Sequence, residues 1–357
     1  MRWSYRLFRV NGISIELHLT FILFFMLIFM SSGWPGFMFF ILIFATVLAH
    51  ELIHSLTAVL HGIRVPKIML LPIGGLASIE MPDDPILELK VSIVGPLFNF
   101  MLAGVGLLMF SALNSSFVGY GTVVDWVFSG SFGMDSVSAV LSVIVSINLT
   151  LGLFNMLPAF PMDGGRVFRS ILAFWMDYVK ATKIATLVGQ LIFSALAFIG
   201  ILTFNIWWVI IGMFLSYAGG SELKYVNLKA LVSGVKLRDI AVPGLIYVNS
   251  SLSWGDFLST VYRRGRSLYL TVDSSGVVKG VLDLAELRSA DLNRPVGDAP
   301  ATEYSVLDGG LMVSGILKVL LSQKLVLVSD GGRLLGYVTP ETLADSAAYM
   351  SLSRTLR

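Results

Sequence analysis

Cysteine is absent from this chain of 357 residues. That excludes a disulfide framework and a thiolate metal site, so any bound metal must use nitrogen or oxygen ligands. Charge is scarce too: 13% of residues are Asp, Glu, Lys or Arg, against about 25% in soluble domains. The formal net charge is only +2, and the basic residues are spread out and form no stripe, so nucleic acid is excluded as a partner. What remains is apolar, with 55% hydrophobic residues and a mean hydropathy of +0.81. This is the composition of an integral membrane protein whose surroundings are a lipid bilayer.

A hydrocarbon core about 30 Å thick needs about 20 mostly apolar residues, and six stretches reach or approach that length. They are 14–31, 36–61, 86–112, 137–157, 184–202 and 206–220. Turns are cued by SSGWPG at 32–37, by the polar stretch 113–135 and by Asn205. No small-residue cleavage site follows the first run, which reads as an uncleaved span and not a signal peptide. Arg2, Arg6, Arg9, Arg64, Lys67, Lys90, Arg166, Arg169, Lys180 and Lys183 all fall on one side of this arrangement. The positive-inside rule makes that side cytoplasmic, giving a multi-pass protein of the cell membrane with its N terminus and C-terminal region in the cytoplasm.

The second span contains LAHELIHSL at 48–56. Residues four apart on a helix lie about 40° round and 6 Å along, so His50 and His54 can present imidazoles to one ion, with Glu51 beside them. In His-Glu-x-x-His the histidines bind zinc, and the glutamate takes a proton from the water that attacks a polarised carbonyl. Two buried histidines bonded to neighbouring helices are the blander alternative, but three ionisable groups within a membrane span point to function. A catalytic zinc wants a third protein ligand. His61 lies two turns, about 10 Å, beyond His54, and His18 reads as an interfacial residue. The fourth span ends in NMLPAFPMDGG at 155–165, where two prolines and two glycines set Asp163 on non-helical chain. Such backbone is tolerated at membrane depth only inside protein or beside a water-filled cavity. Asp163 is either the cap of the next helix or the missing oxygen ligand, and the incomplete site upstream favours the ligand.

HELIH in one span followed by NMLPAFPMDGG at the end of a later one resembles the site-2 protease family of intramembrane zinc metalloproteases. IELHLTF at 15–21, LLPIGGLA at 70–77 and VGPLFN at 94–99 add to the likeness, which covers roughly residues 5–220. The resemblance implies one zinc ion per chain on His50, His54 and Asp163, Glu51 as general base, and Asn155 as a polar helper near the scissile carbonyl. It also implies short membrane-associated strands within 64–80, whose exposed edge could pair with an unwound substrate helix. The implied substrate is a single-span membrane protein already shortened by another protease. No inserted PDZ-like domain is evident, because the 113–135 loop is too short.

Beyond residue 220, SLYLTVDSSGVVKGVLDLAEL at 267–287 and KLVLVSDGGRLLGYVTPETL at 324–343 repeat one pattern: a β-run, an Asp-containing turn with glycine, a second strand and a helix start. This resembles a tandem pair of CBS domains, a soluble α/β module that often binds adenine nucleotides. The nucleotide pocket commonly carries a hydroxyl residue and, three positions later, an aspartate. Here the positions hold Asp283 and Glu286 in one copy and Thr339 and Thr342 in the other, so neither copy keeps the full pair. A dimerising or stabilising module is the alternative to a sensor. The expected organisation is a six-helix membrane domain at 1–220, a connector at 221–235, the CBS pair at 236–345 and a tail at 346–357. Two other readings stand beside the intramembrane protease: another multi-span zinc peptidase, and a transporter or channel gated by the CBS pair.

Overall fold

The computed structural model describes residues 4–72, 74–79, 81–113, 137–263, 268–284, 292–299 and 302–355. The 113–135 turn beyond Leu113, and Glu286, lie outside the described residues. The chain forms two compact units, Met1–Lys224 and Tyr225–Arg357.

The first unit opens with a hairpin where a helix was expected from residue 14. Strands β1 (Ser4–Val10) and β2 (Ile13–His18) turn at Asn11 and Gly12, both with positive φ. Asn-Gly is the pair that a two-residue hairpin turn favours. Ile13 and Ile15 then enter a core with Ala58, Ile68 and Val91, a tertiary burial that a helix from residue 14 would not provide. Helix α1 (Leu19–Leu60) starts at His18, whose Nδ1 accepts from the backbone N–H of Thr20. It is broken at Gly33 (φ 60°, ψ −156°), two residues before Pro35. Rings pair across the break, Phe21 with Phe44, Phe24 with Phe40 and Phe25 with Phe37, at 4.7, 5.4 and 5.6 Å. The ascending series on one side meets a descending series on the other, so the two halves of α1 lie antiparallel.

Strands β3 (Lys67–Leu71) and β4 (Gly74–Ala77) complete a sheet of order β1-β2-β3-β4, the short strands that the resemblance implied. β2 and β3 are parallel, an arrangement that demands a long crossover; α1 is that crossover. The remaining helices are α2 (Pro85–Ala112), α3 (Val137–Asn155), α4 (Asp163–Leu172), α5 (Tyr178–Leu202) and α6 (Ile206–Leu231). Asp84 and Asp177 cap α2 and α5 with their carboxylates. Asn205 starts α6 by accepting from the Trp207 N–H. With no Gly or Pro between Gly220 and Gly234, α6 runs through the first part of the expected connector.

Among the described residues, α1, α2, α3, α5 and α6 are long and apolar enough to cross a membrane. Their surfaces agree with that. Leu27, Met30, Leu191, Leu202 and Trp207 face outward, while Glu88, Asn99, Asn148, Arg169 and Thr182 are buried. The first unit is thus apolar outside and keeps its buried polar residues inside, the arrangement expected where lipid is the solvent.

The second unit contains one three-strand arrangement twice. In the first copy β5 (Tyr247–Asn249) runs parallel to β6 (Leu268–Val272), which runs antiparallel to β7 (Val278–Asp283). In the second, β8 (Tyr304–Asp308), β9 (Leu325–Asp330) and β10 (Arg333–Val338) repeat those relations. Leu270 and Val281 of one sheet share a core with Leu325 and Leu327 of the other. Helices α7 (Leu237–Ile240) and α8 (Val313–Ser322) cover the second sheet through Leu237, Leu317 and Leu320. The last helix, α9 (Pro340–Thr355), takes in most of the expected tail.

Candidate metal centre

The second half of α1 carries His50, Glu51 and His54 on uninterrupted helix, so the spacing of the two histidines puts both rings on one face. Both are buried, and their Nε2 atoms stand 3.0 Å apart. The loop after α3 returns the chain to this face. There Asp163, the first residue of α4, brings Oδ2 to 3.1 Å from each Nε2. Its position differs in detail from the non-helical chain read from the sequence, because the two glycines that follow continue as α4. Neither does it cap that helix: the N-cap is Met162, with no side-chain hydrogen bond. His18 and His61 stay at the two ends of α1, and neither belongs to this group of ligand atoms.

The imidazoles are held from behind by α2. His54 Nδ1 lies 2.5 Å from the carbonyl of Val91. A carbonyl can only accept, so Nδ1 carries a proton, and in the neutral ring Nε2 presents its lone pair. The partner of His50 Nδ1 is Asn99 Oδ1, at 2.5 Å. Its polarity is fixed further along, since Asn99 Nδ2 donates to Asn148 Oδ1 at 2.8 Å and Asn148 Nδ2 donates to the carbonyl of Ile144 at 2.9 Å. Starting from that carbonyl, each amide has one orientation, and His50 must donate from Nδ1. Val91, Gly95 and Asn99 follow one another at helical spacing along α2. Between the two hydrogen-bonding positions, Gly95 gives the rings their space, because a Cβ there would stand 2.7 Å from His50 Cε1.

With both imidazoles neutral, three acceptors therefore face one another: two imidazole lone pairs and a carboxylate oxygen. Left alone they would repel; a cation makes them ligands. Ligand atoms about 2.0–2.1 Å from a tetrahedral zinc are about 3.3 Å apart, close to the observed separations, so the residues fit the ion. Glu51 lies beside them with its side chain against β4, where a Cβ on Gly75 would meet Glu51 Cγ at 2.6 Å. Asn155 closes α3 and is half-buried. Among the described residues it makes no hydrogen bond to His50, Glu51, His54 or Asp163. Sequence reasoning missed Asn148 altogether. It reached Asn99 and Gly95 only as part of VGPLFN, although their spacing of four could have linked them to the histidine pair.

Two histidines and a carboxylate whose ligand atoms converge could hold a metal ion, and with an adjacent glutamate they are residue types that zinc-dependent hydrolases use. The profile of peptidase family M50 matches residues 38–199. The zinc metalloprotease MJ0392 of Methanocaldococcus jannaschii is 30% identical over 100% of both chains. The chain belongs to peptidase family M50 and is a zinc metalloprotease, which sets aside the transporter or channel reading. Among solved structures it is similar to the site-2 protease from Methanocaldococcus jannaschii, 36% identical over 62% of this chain and 95% of that one, with a TM-score of 0.45. It is also similar to the CBS domain of a bacterial CNNM/CorC family Mg2+ transporter, 18% identical over 35% of this chain and 82% of that one, with a TM-score of 0.30.

Proposed function

We propose that this membrane zinc peptidase hydrolyses peptide bonds within or near the transmembrane helix of a single-span protein, with His50, His54 and Asp163 as the metal ligands. The observation that carries the reading is the convergence of two Nε2 atoms and a carboxylate oxygen on one point, with each Nδ1 proton held from behind by α2. When bound there, zinc polarises the scissile carbonyl and acidifies water. Glu51 takes a proton from the attacking water as the C–O bond forms, then delivers it to the amide nitrogen, which leaves as the C–N bond breaks. Asn155 supports the carbonyl oxygen as negative charge gathers on it.

A helix must give up its own hydrogen bonds before a peptide bond in it can be attacked. β4 is at the edge of the sheet and packs beside Glu51, so an unwound substrate strand would find hydrogen-bond partners where the base stands. Ser78 N–H donates to the Lys67 carbonyl; alternation along an antiparallel pair then turns the N–H groups of Gly75 and Ala77 away from β3. Ala77→Pro removes one edge donor, and cleavage that continues undiminished in a folded Ala77→Pro protein would rule out strand pairing. In the membrane the first unit is read as six crossings, α1 supplying two, with the N terminus and the second unit cytoplasmic.

The second unit is read as a CBS pair that dimerises or regulates the enzyme. Thr339 and Thr342 are already engaged at the start of α9, where each hydroxyl accepts from the other's backbone N–H. Adenine nucleotide at Asp283 and Thr339 is therefore the weaker form of this reading, checked by titrating the full-length protein with ATP. The central test measures bound zinc and cleavage of a reconstituted single-span substrate by the native enzyme and by Glu51→Gln. Stoichiometric zinc, cleavage abolished by a chelator and restored by zinc, and an inactive Glu51→Gln protein are expected. Cleavage of soluble peptides alone would instead favour another multi-span zinc peptidase.

A further inference from the structure

The chemistry above leaves unused a charged cluster beyond the metal-facing end of α4. Arg169 is buried there, on the helix that begins with Asp163. Its guanidinium donates through Nε to Glu88 of α2 at 3.2 Å, through Nη2 to the same carboxylate, and through Nη1 to Glu222 of α6 at 2.9 Å. Ser170 Oγ and Tyr178 Oη donate to Glu88 at 3.1 and 3.2 Å. The guanidinium also lies over the rings of Phe160 and Tyr178, at 4.7 and 4.8 Å. One arginine thus ties α2, α4, α5 and α6 together. Buried ion sets of this kind contribute little net stability compared with apolar packing, so the cluster is better explained by a geometry it enforces.

Two connections lead from the cluster to the metal ligand. α4 joins Arg169 to Asp163 directly, and Phe160, under the guanidinium, belongs to the loop that delivers Asp163. α6 touches the same loop: a Cβ on Gly219 would stand 2.9 Å from the Phe160 carbonyl oxygen, and Glu222 follows Gly219 by about one helical turn. With no side-chain cap at its start, α4 is placed by what grips its other end.

We infer that Glu222 is a positioning residue: by holding Arg169 from α6 it sets the pose of α4 and the Phe160 loop, and so the placement of the Asp163 carboxylate against His50 and His54. This rests on those three residues being the metal site. The test uses the full-length protein loaded with Co2+, whose visible absorption reports ligand geometry, and Zn2+ competition to obtain affinity. Glu222→Ala should shift the Co2+ bands, weaken Zn2+ binding about tenfold and lower kcat about tenfold with KM within about twofold, the size of effect that supporting shells have on metal sites. Glu222→Gln keeps the side-chain shape and should give a smaller shift in the same direction, which also serves if the alanine variant does not fold. Tyr217→Phe, exposed on the same helix, is the control. Native Co2+ bands and native Zn2+ affinity in both Glu222 variants, even with a lowered melting temperature, would overturn the inference. A native protein that gives no Co2+ bands at all would remove the metal-site reading itself, and this inference with it.

Discussion

The two units of this chain solve the problem of burial in different ways. In the second, Leu317, Leu325, Leu327 and Val328 are fully enclosed, and charged pairs such as Arg238–Asp330 and Lys279–Asp273 stay at the surface. In the first, large apolar side chains also point outward, and beside apolar residues such as Ile68 and Phe193 the interior holds Glu88, Asn99, Asn148 and Arg169. The difference follows from the solvent. Water drives apolar groups inward, whereas lipid leaves them indifferent and forces every polar group to find a partner inside the protein. A polar interior is also what a hydrolytic site needs, so in the first unit folding and chemistry draw on the same hydrogen bonds.

Substitutions should divide along that line. The largest effect belongs to the first unit's chemistry: Glu51→Gln should lower kcat about 10²–10⁴-fold, the range for loss of a general base. Bound zinc, measured by mass spectrometry, should remain stoichiometric. Next is the apolar core of the second unit, where Leu317→Ala removes a fully enclosed side chain and should cost about 2–5 kcal/mol in denaturant unfolding. Leu202→Ala, exposed at the end of α5, should be close to neutral by the same measure in detergent. If the two leucines behaved alike, the contrast between the units would be false. Third, Asn99→Ala frees His50 Nδ1 from its partner and should weaken zinc about 10–100-fold in a chelator competition, while the melting of the second unit stays put.

The smallest effect sits on the second unit's surface. The Asp273 carboxylate accepts from the Ser275 hydroxyl and the Val277 backbone N–H, which hold its pKa down to about 2. A carboxylate depressed on folding adds stability above its free pKa, near 3.9, and that contribution is lost as pH falls through about 2. Acid unfolding of Asp273→Asn should therefore differ from the parent's above about pH 4 and converge with it toward pH 2. Because the group sits at the protein surface, where solvent screens it, the difference should be slight.

How much of this was legible in the sequence depended on distance along the chain. His50 and His54 are neighbours through helical periodicity alone, and the prolines and glycines around Asp163 announce a break in the helix. The repeat of β6–β7 in β9–β10 could be read from glycine and aspartate in matching turns. By contrast, Asn99 lies 49 residues from His50 and Arg169 lies 81 from Glu88, and no local pattern joins such pairs. Hydropathy also misplaced the start of the first helix. Ile13 and Ile15 are as apolar in a strand as in a helix, and the evidence against a helix was the Asn11-Gly12 turn before them. Glu88 and Arg169 were hidden for a related reason, because each was counted by its charge and not by the partner it would meet.

The parallel pairing of β2 with β3 has a topological consequence. Ser14 lies opposite Lys67, and Leu17 opposite Leu70, so the chain leaves and re-enters the same small sheet at either end of α1. Whatever boundary α1 passes through on the way out, it must pass through again on the way back, and the number of passages in that segment is even. The break at Gly33 is where the path reverses. Labelling reagents that do not permeate membranes should accordingly find residues 12 and 62 on one face and residue 33 on the other, whatever the remaining helices do.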